Sequence, residues 1–182
     1  MSKNNPVYIL KRRKDKGNNI FNLGGRYYGE FKNNKANGKG ILIFKDGHQY
    51  IGQWKNNKMH GKGILFSPEG DKYIGEFENN KTHGMGIIIF TDGAYYIGPH
   101  KNNMIHGSGI MTCSDGTVDI GTWKNAISHG NMTIIYTDGL VIKTQYVNGK
   151  ELENTQKSFF IWQIPYYFSC QTLLIIIDIK NY

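Results

Sequence analysis

The sequence predicts an all-β fold: an elongated, single-sheet antiparallel meander of tandem β-hairpins, each 23 residues long. Three observations predict it. Tyr27, Tyr50, Tyr73 and Tyr96 stand 23 residues apart, and Asp119 follows in the same phase. Short runs rich in β-branched and aromatic residues alternate with Asn, Gly and acid-glycine turn chemistry. No stretch sustains the 3.6-residue apolar period of an amphipathic helix.

The elements follow in order within each unit. Two residues after the leading position come Gly29, Gly52, Gly75, Gly98 and Gly121, and two further on Phe31, Trp54, Phe77, His100 and Trp123. These form a first strand, as in Tyr50-Ile51-Gly52-Gln53-Trp54. The polar segment that follows, Asn56 to Gly61 in the second unit, is expected as a turn. A second strand comes next, as in Gly63-Ile64-Leu65-Phe66, and an acid-glycine pair closes each unit at Gly47, Gly70, Gly93, Gly116 and Gly139. A sixth unit starts at Ile142 and decays through Tyr146, Asn148 and Gly149, while Gly17, Ile20, Phe21 and Gly24 hold half-repeat positions ahead of the first. Atypical end units are what a stacked array needs to cap itself. The chain thus divides into a basic polar segment with the half-repeat start (1–20), a repeat array of about six units (21–150) and an apolar tail (151–182).

Side chains alternate across a strand, so Tyr50, Gly52 and Trp54 share one face. A glycine between two aromatics leaves room for a neighbouring ring to lie over the backbone. Repeated along the array, this makes an aromatic stripe. At about 4.8 Å per strand, six hairpins span about 55–60 Å, and no unit buries its rings alone.

Composition sets further bounds. At 39% hydrophobic and 13% aromatic over 182 residues, the chain is not a disordered one. Cys113 and Cys170 form no C-x-x-C pair, which fits a reducing, cytoplasmic setting better than a stapled secreted fold. The first 20 residues lack the apolar core of a secretory signal. The net charge of +8 gathers in the N-terminal third, where Lys11, Arg12, Arg13 and Lys14 form a basic run suited to an acidic partner or membrane surface. Nothing there points to sequence-specific nucleic-acid readout.

The motif Y-x-G-x-W/F, a polar turn, H-G-x-G and D-G at this period resembles the membrane occupation and recognition nexus, or MORN, repeat family. The resemblance covers about residues 21–150; it weakens at Pro99-His100 and at Asp119 and Met132, where the family has other residues. It implies a rod with an aromatic-lined groove. It also implies a scaffold at cell cortex, cilia, contractile rings or membrane junctions, sometimes beside a lipid kinase or SET-type methyltransferase domain.

Tyr27, Phe31, Tyr50, Trp54, Tyr73, Phe77, Tyr96 and Trp123 are the candidate partner-binding groove, since aromatics give large, rigid contact area. The same rings also serve to hold the repeats together. His60, His83, His106 and His129 recur one hairpin apart, about 9–10 Å, whereas zinc needs ligands about 2 Å from one ion. The repeated acids before glycine are what tight turns favour. No metal, cofactor, phosphate loop or catalytic constellation is expected, and the chain reads as a non-enzyme. The run from Phe159 to Ile177 is apolar but interrupted, and is compatible with a membrane anchor, a cap on the last hairpin or a faulty gene prediction.

Two functions compete on this reading. One is a protein–protein scaffold at cytoskeletal, cortical or ciliary structures, compatible with self-association as a homodimer. The other is a peripheral adaptor docking on anionic phospholipid, with an accessory module split from a lipid kinase or methyltransferase as a third.

Overall fold

The computed structural model describes residues 20–21, 25–152 and 155–159. The basic run Lys11–Lys14, the half-repeat glycines Gly17 and Gly24, and the tail from 160 onward lie outside these residues.

Fifteen strands follow in chain order: β1 (Ile20–Phe21), β2 (Gly25–Lys32), β3 (Lys35–Phe44), β4 (Gln49–Lys55), β5 (Lys58–Phe66), β6 (Lys72–Glu78), β7 (Lys81–Ile89) and β8 (Tyr95–Lys101). Then come β9 (Met104–Ile105), β10 (Gly107–Thr112), β11 (Val118–Lys124), β12 (Ile127–Ile135), β13 (Leu140–Val147), β14 (Lys150–Glu151) and β15 (Gln156–Phe159). All belong to one antiparallel sheet in which sequence neighbours pair, with no helix among the described residues. The predicted meander is the observed fold.

Its ends keep the repeat's register. Ile20 faces Arg26 as Ile43 faces Gln49, one unit apart, so β1 is the second strand of a preceding half-unit. At the other end β14 and β15 both pair with β13. Val141 faces Ser158 as Val118 faces Ile135. The sixth hairpin therefore closes, and the sheet runs on past Lys150 to Phe159.

The polar turns are shorter than the sequence suggests. Only Asn56 and Asn57 form the turn, with φ of 50° and 66°, and the strand resumes at Lys58, so His60 and Gly61 lie within β5. Two left-handed residues make a turn whose twist matches a hairpin, and Asn tolerates that region. Gly61, at φ 66°, marks the bulge between the Gly52–Gly63 and Trp54–Met59 pairs.

The same Asn pair locks one hairpin to the last. Asn57 Oδ1 accepts the Ala36 N–H at 2.7 Å while the Asn57 N–H donates to Ala36 O at 3.0 Å. Asn80 with Met59, and Asn103 with Thr82, repeat both bonds. At Ala126 only the backbone bond to Ile105 O is left. At the opposite edge, Asp46, Asp92, Asp115 and Asp138 each accept the N–H two residues on at 2.8–3.1 Å. These acids have the turn role expected of them.

Down the middle of the aromatic face, glycines face one another strand after strand, as Gly40 faces Gly52, Gly52 faces Gly63 and Gly63 faces Gly75. On the other face an isoleucine ladder parallels them, Ile41 to Ile51 to Ile64 to Ile74.

Candidate functional site

Each leading tyrosine lies flat over the glycine pair beside it. A Cβ on Gly63 would come within 2.5 Å of Tyr50 Cε2, and one on Gly86 within 2.5 Å of Tyr73 Cε2. Side chains are thus excluded where the ring must rest. Each hydroxyl donates to the carbonyl three residues on: Tyr27 to Glu30 at 3.0 Å, Tyr50 to Gln53 at 2.8 Å, Tyr73 to Glu76 at 2.9 Å and Tyr96 to Pro99 at 3.4 Å. Burial pushes the phenols of Tyr27 and Tyr96 up to about 12 and raises that of Tyr50 further.

The rings form one continuous row. Phe31, Tyr27, Trp54, Tyr50, Phe77, Tyr73, His100, Tyr96 and Trp123 follow one another edge-to-face, with centroids 4.9–5.4 Å apart. That geometry suits the quadrupoles of aromatic rings. Tyr50 and Tyr96 have no exposed surface, and Tyr27, Trp54, Tyr73, Phe77 and Trp123 are also buried. Of the eight predicted groove residues only Phe31 is exposed. The row is a core shared between neighbours, so a partner on this face meets mostly what lies above it.

Two units depart from the pattern. His100 stands in the row where the other units have Phe or Trp, 3% exposed. Its Nδ1 lies 3.1 Å from Gly98 O. A carbonyl only accepts, so Nδ1 carries the proton and Nε2 is left as an acceptor without a partner. Burial lowers the pKa of the ring. The apolar core breaks there into two clusters, one from Tyr27 to Phe77 and one around Tyr96, Trp123 and Met132.

In the fifth unit Asp119 replaces the tyrosine. The space a ring would fill is taken by Met132, buried and directly opposite Gly121, so that a Cβ on Gly121 would strike its Sδ. Met132 stands where other units have the second glycine. The two departures are one exchange, a thioether for a ring. Asp119 is half-buried with Oδ1 unpartnered, and burial raises its pKa.

A groove of about 350 Å³ opens on this face above units two to four. Leu65, Tyr73, Ile88 and His100 line it, with Ser67 and Asp71 towards one edge and Asn80, Thr82 and Asn103 towards the other. Thr82 Oγ1, like His100 Nε2, is buried without a partner. Sequence reasoning missed Leu65, Ile88 and Thr82, which look like ordinary second-strand residues until the hairpins are stacked. The repeated histidines stay apart: His83 Nε2 lies 3.7 Å from Glu78 Oε2, and His129 Nδ1 accepts the Asn148 N–H at 3.4 Å. Among the described residues no group of three or more His, Cys, Asp or Glu side chains converges.

Stacked 23-residue hairpins with a tyrosine over a glycine pair define a β-repeat protein of the kind built by tandem hairpin modules. The MORN repeat family matches over residues 27–49, 50–72, 73–95 and 101–118, and the chain belongs to it. No curated protein matches the chain. Among solved structures it is similar to the TCP domain of SAS-4 from Drosophila melanogaster, in complex with a proline-rich motif of Ana2. There the identity is 13%, the coverage 84% of this chain and 99% of that one, and the TM-score 0.28. That likeness is too slight to bear on what this chain binds.

Proposed function

We propose that the chain is a non-enzymatic scaffold that holds a segment of a protein partner in the groove above units two to four. Its setting on this reading is a cytoskeletal, cortical or ciliary structure. MORN repeats are protein and membrane interaction modules. The observation that carries the choice is the groove itself: an apolar floor of Leu65, Tyr73 and Ile88 with the unpartnered His100 Nε2 and Thr82 Oγ1 beneath it. Apolar lining with a few convergent polar groups is how binding clefts are built. An apolar side chain on the partner would cover Leu65 and Ile88, and its polar groups would meet Asn80 and Asn103 at the groove's edge.

Leu65→Glu with Ile88→Glu tests this, because both residues are only partly buried and carry less of the core than the rings. Proteins captured from cells by the wild type should be lost by this variant. They should be retained by Ile51→Glu, which places the same charge on the opposite face, where Ile51 is 41% exposed. Circular dichroism confirms folding of both. An unchanged set of captured proteins in the groove variant removes the groove from the mechanism.

A further inference from the structure

The two long edges of the sheet carry opposite charge. At the Asn-turn edge Lys32 faces Lys35, and Lys55 faces Lys58, as directly opposed pairs. The next four hairpins keep one lysine each beside the same turn, with Glu78 the acid among them. At the other edge the turns hold Asp46, Glu69, Asp71, Asp92, Asp115 and Asp138, with Lys45 and His48 the bases inside them.

The acids are explained by turn chemistry; the lysines are not. Like charges directly opposite across a strand pair destabilise it. Apart from the weak Lys58–Asn79 contact at 3.5 Å, these lysines have no polar side-chain partner among the described residues. A strand of seven residues separates the edges by about 24 Å, about three screening lengths at physiological salt, so the charges do not cancel within one molecule.

We infer that the lysine edge is a docking strip for the acidic edge of a second copy of this chain. The pitch decides the occupant. Both edges repeat once per hairpin on one rod, so a copy laid alongside brings acid turns to lysine turns without register mismatch. A second copy has that match built in. The acidic edge is densest at the second turn, where Glu69 and Asp71 stand together, so the lysine-dense first two hairpins fit best there. One exposed ion pair is weak; a row of them acts together. The contact is heterologous, because each copy offers one edge and keeps the other, so it extends laterally instead of closing. It leaves the groove's apolar floor uncovered and, of the acids and lysines that carry it, shares with the groove only Asp71, at its rim.

Sedimentation velocity on the full chain tests the inference. At about 20 mM salt the wild type should associate with rising concentration, and at about 300 mM the association should weaken on the order of tenfold or more. A variant with Lys55→Glu, Lys58→Glu, Lys81→Glu and Lys101→Glu, checked for folding by circular dichroism, sets five acids against the four remaining lysines at the Asn-turn edge and so no longer has a basic strip. It should stay monomeric alone yet join labelled wild type. Three results overturn the inference: a wild type that stays monomeric at low salt, association indifferent to salt and to the four substitutions, or failure of the variant to join the wild type. Binding of polyglutamate or anionic vesicles by a wild type that does not self-associate would assign the strip to another polyanion and equally end it.

Discussion

At the scale of single residues, His100 is the weak point of the aromatic row. It replaces an apolar ring with one that has a proton to gain and a buried nitrogen that nothing satisfies. An unsatisfied buried polar atom costs about 1–3 kcal/mol, against about 1 kcal/mol for the bond Nδ1 makes to Gly98. His100→Phe should therefore stabilise the protein by about 1 kcal/mol, measured by urea denaturation. The pH dependence follows from the lowered pKa. Below the ordinary histidine value the unfolded chain takes up a proton that the native ring refuses. Stability is thus fully present above about pH 6.5, falls as pH drops through the window beneath it, and levels off below the folded value. The other histidines are common to both proteins, so the difference between the wild-type and His100→Phe melting curves from pH 7.5 to 5.5 isolates this ring. If the two lose stability in parallel, His100 is not the acid-sensitive group. A gain in stability in the His100→Phe variant accompanied by loss of captured partners would assign the unpartnered nitrogen to binding.

At the scale of the hairpin, each unit is a ring, two opposed glycines and an Asn turn that reaches back to the unit before. The fifth hairpin keeps the architecture with different parts. Asp119 and Met132 depart from the pattern as a pair, because a tyrosine ring and a methionine side chain compete for the same space over Gly121. Asp119→Tyr alone should overpack the site and cost about 1–3 kcal/mol. Met132→Gly alone should empty it and cost about 2–5 kcal/mol, the range for truncating a buried methionine. The double variant restores the tyrosine over paired glycines found in units one to four, and it should be at least as stable as the wild type. A double-mutant cycle by chemical denaturation measures the coupling. Additive losses would mean that the two positions do not share the space. The sixth hairpin is a further variation: Thr144, opposite the fifth unit's Met132, bonds to Thr155 at 3.2 Å where other units have glycines.

At the scale of the molecule, much was legible in the sequence. The 23-residue phase places the sheet, its faces and the tyrosine row, because tyrosine and glycine are each required by contacts every unit repeats. What stayed hidden is what depends on the next unit. Asn57 reads as a turn residue, and its bond to Ala36, 21 residues back, exists only once hairpins stack. The closing strand Gln156–Phe159 has lost the His-Gly and glycine signals, so its pairing with β13 is carried by register rather than residue type. Leu65 and Ile88 become a groove only as neighbours. This dependence on adjacent units makes a strong prediction about the whole array. Pairing runs from each strand to its sequence neighbours, and the aromatic row links each unit to the next. Removing residues 73–95 joins Lys72 to Tyr96 in phase. It leaves Tyr50 to meet His100 in place of Phe77, at a contact Tyr73 already makes at 4.9 Å. The shortened chain should fold to the same sheet with one hairpin fewer and lose stability by roughly one interface. Its denaturant m-value should fall in proportion to the surface removed. Removing residues 73–90 instead takes out most of a unit but breaks the phase, so that Thr91 takes the place of Tyr73. A period of two faces per strand gives such a slip no partial credit: the out-of-phase chain should fail to unfold cooperatively while the in-phase one does. Equal behaviour of the two deletions would mean that the array is held by something other than neighbour-to-neighbour register.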